Sequence, residues 1–190
     1  MNKKLLGIIM LIIVIGLGLG YFKFYGDFKK DPVYKEQKEI MKQAKANVLE
    51  NIAILRELID TKQLEVELNS PIPDLGYSKD KRAVPILCEV LLNYTEPVTP
   101  EEYRYEWSMD GADHARMEAA QALLYIRDLS STSALKQAAL NDKIPEVRKS
   151  ALFSLKSIAQ QDSLETLKRA LNDPDEKVRF TAKELIDSLK

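Results

Sequence analysis

Three segments in the second half of the chain share one pattern. Asp110, Asp142 and Asp173 each stand six residues before an arginine: Arg116, Arg148 and Arg179. Three places after each Arg comes an alanine (Ala119, Ala151, Ala182), and four places further an aliphatic residue (Leu123, Leu155, Ile186). The copies lie 32 and 31 residues apart. That period belongs to arrays of helical units, in which each unit buries its apolar face only by stacking on its neighbours.

The faces are readable from the spacing. Ala115, Ala119, Leu123 and Ile126 recur at steps of four and three, which makes one side of a helix. Val147, Ala151, Leu155 and Ile158 repeat the stripe, as do Val178, Ala182, Ile186 and Leu189. The small alanine lets a second helix approach closely. The acids at each start suit a helix N-terminus, where free N–H groups and the dipole favour negative charge. Asp173-Pro174 reads as a cap followed by proline at the first helical position. Between these first ("A") helices, residues 132–142 and 163–173 both end in Leu-Asn-Asp and predict shorter second ("B") helices after polar Ser-Ser or Gln-Gln turns.

The pattern of Asp, then Val-Arg, then Ala, then Leu resembles HEAT-like repeats of the phycobilisome-lyase type. It fits well over Asp142–Ile158 and Asp173–Leu189 and departs at Ala115, where Val is usual. It covers roughly residues 80–190. The resemblance implies an all-α fold, a short right-handed α-solenoid of antiparallel helix pairs. It also implies that Asp110, Asp142, Asp173, Arg116, Arg148 and Arg179 are structural, bonding helix ends between neighbouring repeats. The alternative is an arginine row that binds an anionic ligand.

Upstream, Asp31-Pro32 reads as a cap and a first helical residue. Ile40, Ala44, Val48, Ile52, Leu55 and Ile59 then predict one helical face, a stalk rich in Lys and Glu leading into a capping helix, with a coiled-coil stalk as the rival. Residues 69–81 read as a loop from their Pro, Gly and Ser. Residues 83–93 predict a deeply buried B helix, because their apolar side chains almost surround it. Tyr94–Met109 is then an insertion. Within it Thr99-Pro100-Glu101-Glu102 is a capping box that opens a short helix ending near Trp107. Tyr103 and Trp107 share one side of that helix and Tyr105 points elsewhere. The cluster either plugs a groove between helix pairs or is exposed as a partner anchor.

Residues 5–22 form an uncharged run after Lys3 and Lys4, just long enough for a bilayer core, with aromatic residues directly after it. This predicts a single-pass signal-anchor and places the domain outside the cytoplasm. The alternative is a cleaved signal peptide and a secreted domain. The expected organisation is a tail over 1–4, the membrane helix over 5–22 and a juxtamembrane linker over 23–34. A capping helix and loop follow over 35–78, then repeats over 79–190 with the insertion at 94–109.

Residues 1–30 carry a formal charge of +4, so the remainder carries −5. A mildly acidic domain without a basic block is a poor nucleic-acid binder. With one His and one Cys, multi-histidine metal sites and most Cys/His or Ser-His-Asp constellations are excluded. Cys88, within an apolar run, reads as a buried core thiol. His114 aligns with Glu146 and Lys177, three different residues at one repeat position, which marks a variable surface site. HEAT-like di-iron hydroxylases need several His-Glu pairs, and none occurs. HEAT-like DNA glycosylases use a basic surface, which this acidic domain does not offer. No catalytic residue, cofactor, metal or small-molecule substrate is therefore expected. The remaining expectation is a protein-binding or scaffold module, or else an accessory or regulatory subunit of a membrane enzyme. Its partner-facing candidates are Tyr103, Tyr105 and Trp107, with Lys136, Gln137, Glu165, Lys168 and Arg169 on the outward side of the B helices.

Overall fold

In a computed structural model of the chain, the described residues are 32–61, 70–95 and 111–189. The expected membrane span 5–22, most of the insertion, and Tyr103, Tyr105, Trp107 and Asp110 lie outside them. Among the described residues no helix is long and apolar enough to cross a membrane, and no strand occurs.

Two compact units divide between Ile40 and Met41. Of the first, the described part is helical, from Pro32 onward. The expected continuous helix over 31–60 is two helices, α1 (Pro32–Ala46) and α2 (Val48–Asp60). Asn47 between them departs from helical dihedrals (φ −98°, ψ 12°), yet its N–H still donates to the Gln43 carbonyl and its own carbonyl accepts the Asn51 N–H, so the predicted stripe carries on across the break. Ala44, Val48 and Leu55 are buried, Ile52 and Ile59 partly so, and Ile40 is exposed.

Residues expected to be a loop contain helix α3 (Pro71–Ser78), a correction with a clear local cause. Ser70 accepts the Ile72 N–H through its hydroxyl, and Pro71 sits at the first helical position, where its missing donor costs nothing. Gly76, which reads as a breaker in sequence, is required by packing. A Cβ there would lie 2.8 Å from Ala122 Cα, inside any real contact distance.

The remaining helices are α4 (Val84–Asn93), α5 (Gly111–Ile126), α6 (Thr132–Asn141), α7 (Pro145–Ala159), α8 (Leu164–Ala170) and α9 (Glu176–Asp187). The A helices α3, α5, α7 and α9 pack each on the next, and the B helices α4, α6 and α8 do likewise. Each B helix also packs on the A helix that follows it. The A-to-B connections are short 3-10 turns at Lys81–Ala83, Leu129–Ser131 and Gln160–Ser163. A non-glycine residue with positive φ stands shortly before the first two turns (Lys79, Arg127) and opens the third (Gln160).

The core follows the predicted stripes. Ala115, Ala119, Leu123, Val147, Ala151, Leu155, Val178 and Ala182 are fully buried. In α9 the stripe shifts: Leu185 is buried, whereas Ile186 and Leu189 are only partly so. One cap also differs from expectation. Asp175, not Asp173, caps α9 by accepting from the Lys177 and Val178 N–H groups. Asp173 is thereby left free for another task. Cys88, expected to be fully buried, is half-buried against the core of α4, and burial pushes its thiol up to about 11.

Candidate functional site

The side chains that join the repeats lie just ahead of and within the first turns of the A helices. Arg148, on α7, points its Nε–H and one Nη2–H at the two carboxylate oxygens of Asp173, at 2.8 and 2.7 Å. Its Nη1 donates to the Asp142 and Lys143 carbonyls at 2.8 and 3.2 Å, which fixes the plane of the fork. Arg116 makes the same two-point contact with Asp142, at 2.8 and 3.2 Å. Its Nη1 donates to the Tyr94 carbonyl at 2.9 Å, and Nη2 also reaches Asp113 at 2.6 Å. In both cases an arginine of one repeat holds the aspartate that opens the next. Each of those aspartates also accepts the backbone N–H two residues on, at Ile144 and Asp175.

These pairs are buried on both sides. Burial alone would raise the Asp173 carboxyl, but the hydrogen bonds from Arg148 and the Asp175 N–H, with the charges of Arg148 and Arg179, hold it below its ordinary value. Burial likewise works against the Arg116 charge, and Asp142 and Asp113 outweigh it. Arg179 differs. Its Nη1 donates to the Asp173 and Pro174 carbonyls at 2.7 and 2.8 Å, and no carboxylate meets its Nε–Nη2 edge among the described residues.

A second set of links joins the other ends of the A helices, and the sequence reading did not anticipate it. Lys81 pairs with Asp128 at 2.8 Å, Arg127 reaches the Ser157 carbonyl at 3.5 Å, and Gln161 donates to the Leu189 carbonyl at 3.0 Å. Between the two ends, the Ser154 hydroxyl donates to the Ala120 carbonyl at 2.7 Å and that of Ser150 to the Met117 carbonyl at 3.3 Å. Contacts at both ends show that α5 and α7 run in the same direction. The available signal was the small polar residue at Ser154, which aligns with Ala122.

The outward side of the A helices carries exposed aromatics. Tyr77 and Tyr125 pack ring to ring, with centroids 5.3 Å apart. Beside them an open groove of about 510 Å³ runs between α5 and α7, lined by Met117, Leu124, Tyr125, Lys149 and Phe153. On the B helices, Gln137, Glu165, Lys168 and Arg169 are exposed and Lys136 is half-buried. None of the charged ones forms an ion pair with another described residue. Lys136 and Gln137 share α6 while Glu165, Lys168 and Arg169 share α8, and these two helices are neighbours.

Among the described residues no group of three or more His, Cys, Asp or Glu side chains could hold a metal ion. His114 is partly exposed near the start of α5. The Glu118 carboxyl one turn on is pushed up by burial, with a smaller opposing effect from His114.

Residues 108–187 match a family model described as HEAT repeats. The matched stretch takes in all three Asp–Arg copies and covers less than half of the chain, and over it the protein is similar to HEAT repeats. No curated protein matches the chain.

Proposed function

We propose that the chain is a membrane-anchored HEAT-like interaction or scaffold protein, of the phycobilisome-lyase repeat type and right-handed, with no catalysis of its own. Residues 5–22 serve as the anchor and hold the repeat domain outside the cytoplasm. The observation that carries this reading is the double stapling of the A helices. Arg–Asp pairs lock their starts, side-chain-to-carbonyl bonds lock their ends, and the result is a rigid array that presents surface rather than a deep cleft. The mixed charges of Lys136, Glu165, Lys168 and Arg169 along adjacent B helices, which form no ion pair among the described residues, suit another protein better than nucleic acid.

Lysine-directed crosslinking with mass spectrometry on native membranes tests this. Crosslinks from Lys136 and Lys168 to one recurrent protein are the expected result. If that protein is an enzyme whose rate changes when this chain is removed, the scaffold becomes a regulatory subunit. Recovery of the chain in the soluble fraction without residues 5–22 would overturn the anchor. Crosslinks only within the chain would overturn the interaction reading.

A further inference from the structure

The geometry points to a carboxylate-binding clamp at Arg179, on the outer edge of α9, that takes an Asp or Glu side chain from an acidic segment of a partner protein. This rests on the reading of the chain as a protein-binding module and names the chemistry of one contact.

The argument is internal comparison. The chain contains the same guanidinium three times, at equivalent positions of three repeats. In Arg148, Nη1 is anchored on two backbone carbonyls of its own repeat, and the Nε–Nη2 edge is filled by a carboxylate. In Arg116 the same edge is filled again, by Asp142. Arg179 has the same anchorage, with Nη1 on the Asp173 and Pro174 carbonyls at 2.7 and 2.8 Å. Its fork is therefore held as the Arg148 fork is, the one that binds Asp173 at two points, and among the described residues no carboxylate occupies it. A planar fork fixed in advance loses little freedom on binding, which makes two-point carboxylate recognition favourable.

The surroundings say what kind of occupant fits. At the helix position where Ala120 and Leu152 are fully buried, α9 carries Lys183, which is exposed. A further repeat packed dry on α9 would have to bury that ammonium, so the occupant is not a tightly stacked fourth repeat. Lys183 stands one turn from Arg179 and adds a second positive charge to the same edge. Phe180, adjacent to Arg179, is 64% exposed and offers an apolar contact beside the fork. Two cations and an aromatic ring suit an acidic peptide that carries an apolar residue near its carboxylate.

The test uses the full chain in detergent and a peptide copying residues 173–181, whose first residue fills the Arg148 fork inside the protein. With Arg side chains labelled with 15N, the Arg179 Nε–H resonance should shift on addition of millimolar peptide. The same peptide with Asp173→Asn should bind about ten-fold more weakly, the loss of one charge-assisted pair. Lys183→Glu in the protein, which alters no hydrogen bond seen in the fold, should also weaken the aspartate peptide, with an unchanged melting temperature. Equal binding of the two peptides, an unmoved Arg179 resonance, or wild-type affinity in Lys183→Glu would each overturn the clamp. Crosslinking separates this from failure of the broader reading. A partner retained undiminished by Arg179→Lys and Lys183→Glu removes the clamp and leaves the module. Peptide binding at Arg179 without any crosslinked partner leaves the clamp and removes the module.

Discussion

Arg148 and Asp173 are 25 residues apart in the chain and meet at two points, 2.8 and 2.7 Å, with both side chains buried. The pair sits at the start of one A helix and just before the next, so it fixes both the spacing and the rotation of α7 against α9. Removing one member leaves a desolvated charge without its partner. Asp173→Ala should cost about 3–5 kcal/mol in urea unfolding. Adding Arg148→Ala should cost much less than the sum of the two single changes, with a coupling of about 0.5–3 kcal/mol in a double-mutant cycle. Additive effects would show that the pair does not act as a unit.

The same pair carries a pH dependence of known sign. Asp173 is held below its ordinary value of 3.8 in the folded chain, so the folded state binds its proton less readily than the unfolded state does. Its contribution is fully present above that ordinary value and is lost as pH falls below it, through the depressed folded value. Wild type and Asp173→Asn should therefore differ in stability most near neutral pH. The gap should narrow in acid, below about pH 4. A gap that stays constant from pH 7 to pH 3 would contradict the assignment.

Gly76→Ala is a test of close approach. In an open helix this change adds stability through propensity. Here the new Cβ meets the Ala122 backbone at 2.8 Å, and α3 must move away from α5. The expected loss is about 1–3 kcal/mol by thermal melting. Ala122→Gly should rescue it only in part, because the nearest atom is Cα rather than the methyl group.

Two neighbours on α7 should behave oppositely. Leu155 is fully buried and Phe153 is half exposed along the groove. Leu155→Ala should cost about 2–5 kcal/mol. Phe153→Ala should stay within about 0.5 kcal/mol, so any effect it has on partner capture reports surface recognition rather than folding. Urea midpoints measure both.

Cys88 should react slowly with a thiol reagent at pH 8. Burial raises its thiol from 9.0 to about 11 in the folded chain, so the neutral form is the one that the fold stabilises. That contribution is present below about pH 9 and is lost as pH rises toward 11. Labelling should become fast only in denaturant, followed by absorbance of the released thiolate.

Much of the array was legible because its rules are local. Ala115, Ala119 and Leu123 sit on one face by spacing alone, and burial follows spacing when a helix has one apolar side. Ser-Ser and Gln-Gln mark turns because their side chains compete with helical hydrogen bonding. The helix at residues 71–78 was not legible. Its Pro and Gly argue for a loop in isolation and for a helix only once Pro71 is seen at the first position and Gly76 against Ala122. Asp175 replaced Asp173 as the cap of α9 for a related reason. Asp173 is engaged by Arg148, and the nearer acid then meets the free N–H groups.

The sequence by itself determined the period, which is plain repetition at 32 and 31 residues, and also the helical class, the buried faces and which residue types stand at each repeat start, since these last depend on intervals of seven residues or fewer. It did not determine which aspartate each arginine holds. Asp113, three residues from Arg116, and Asp142, 26 residues away, both qualify by charge, and the fork takes both. That choice, like the bonds from Arg127 and Gln161 to carbonyls at or just past the end of the following A helix, was made by stacking. Only when one repeat packs on the next are Arg116, Asp113 and Asp142 withdrawn from water together, and a polar group denied water must take the partner that packing brings.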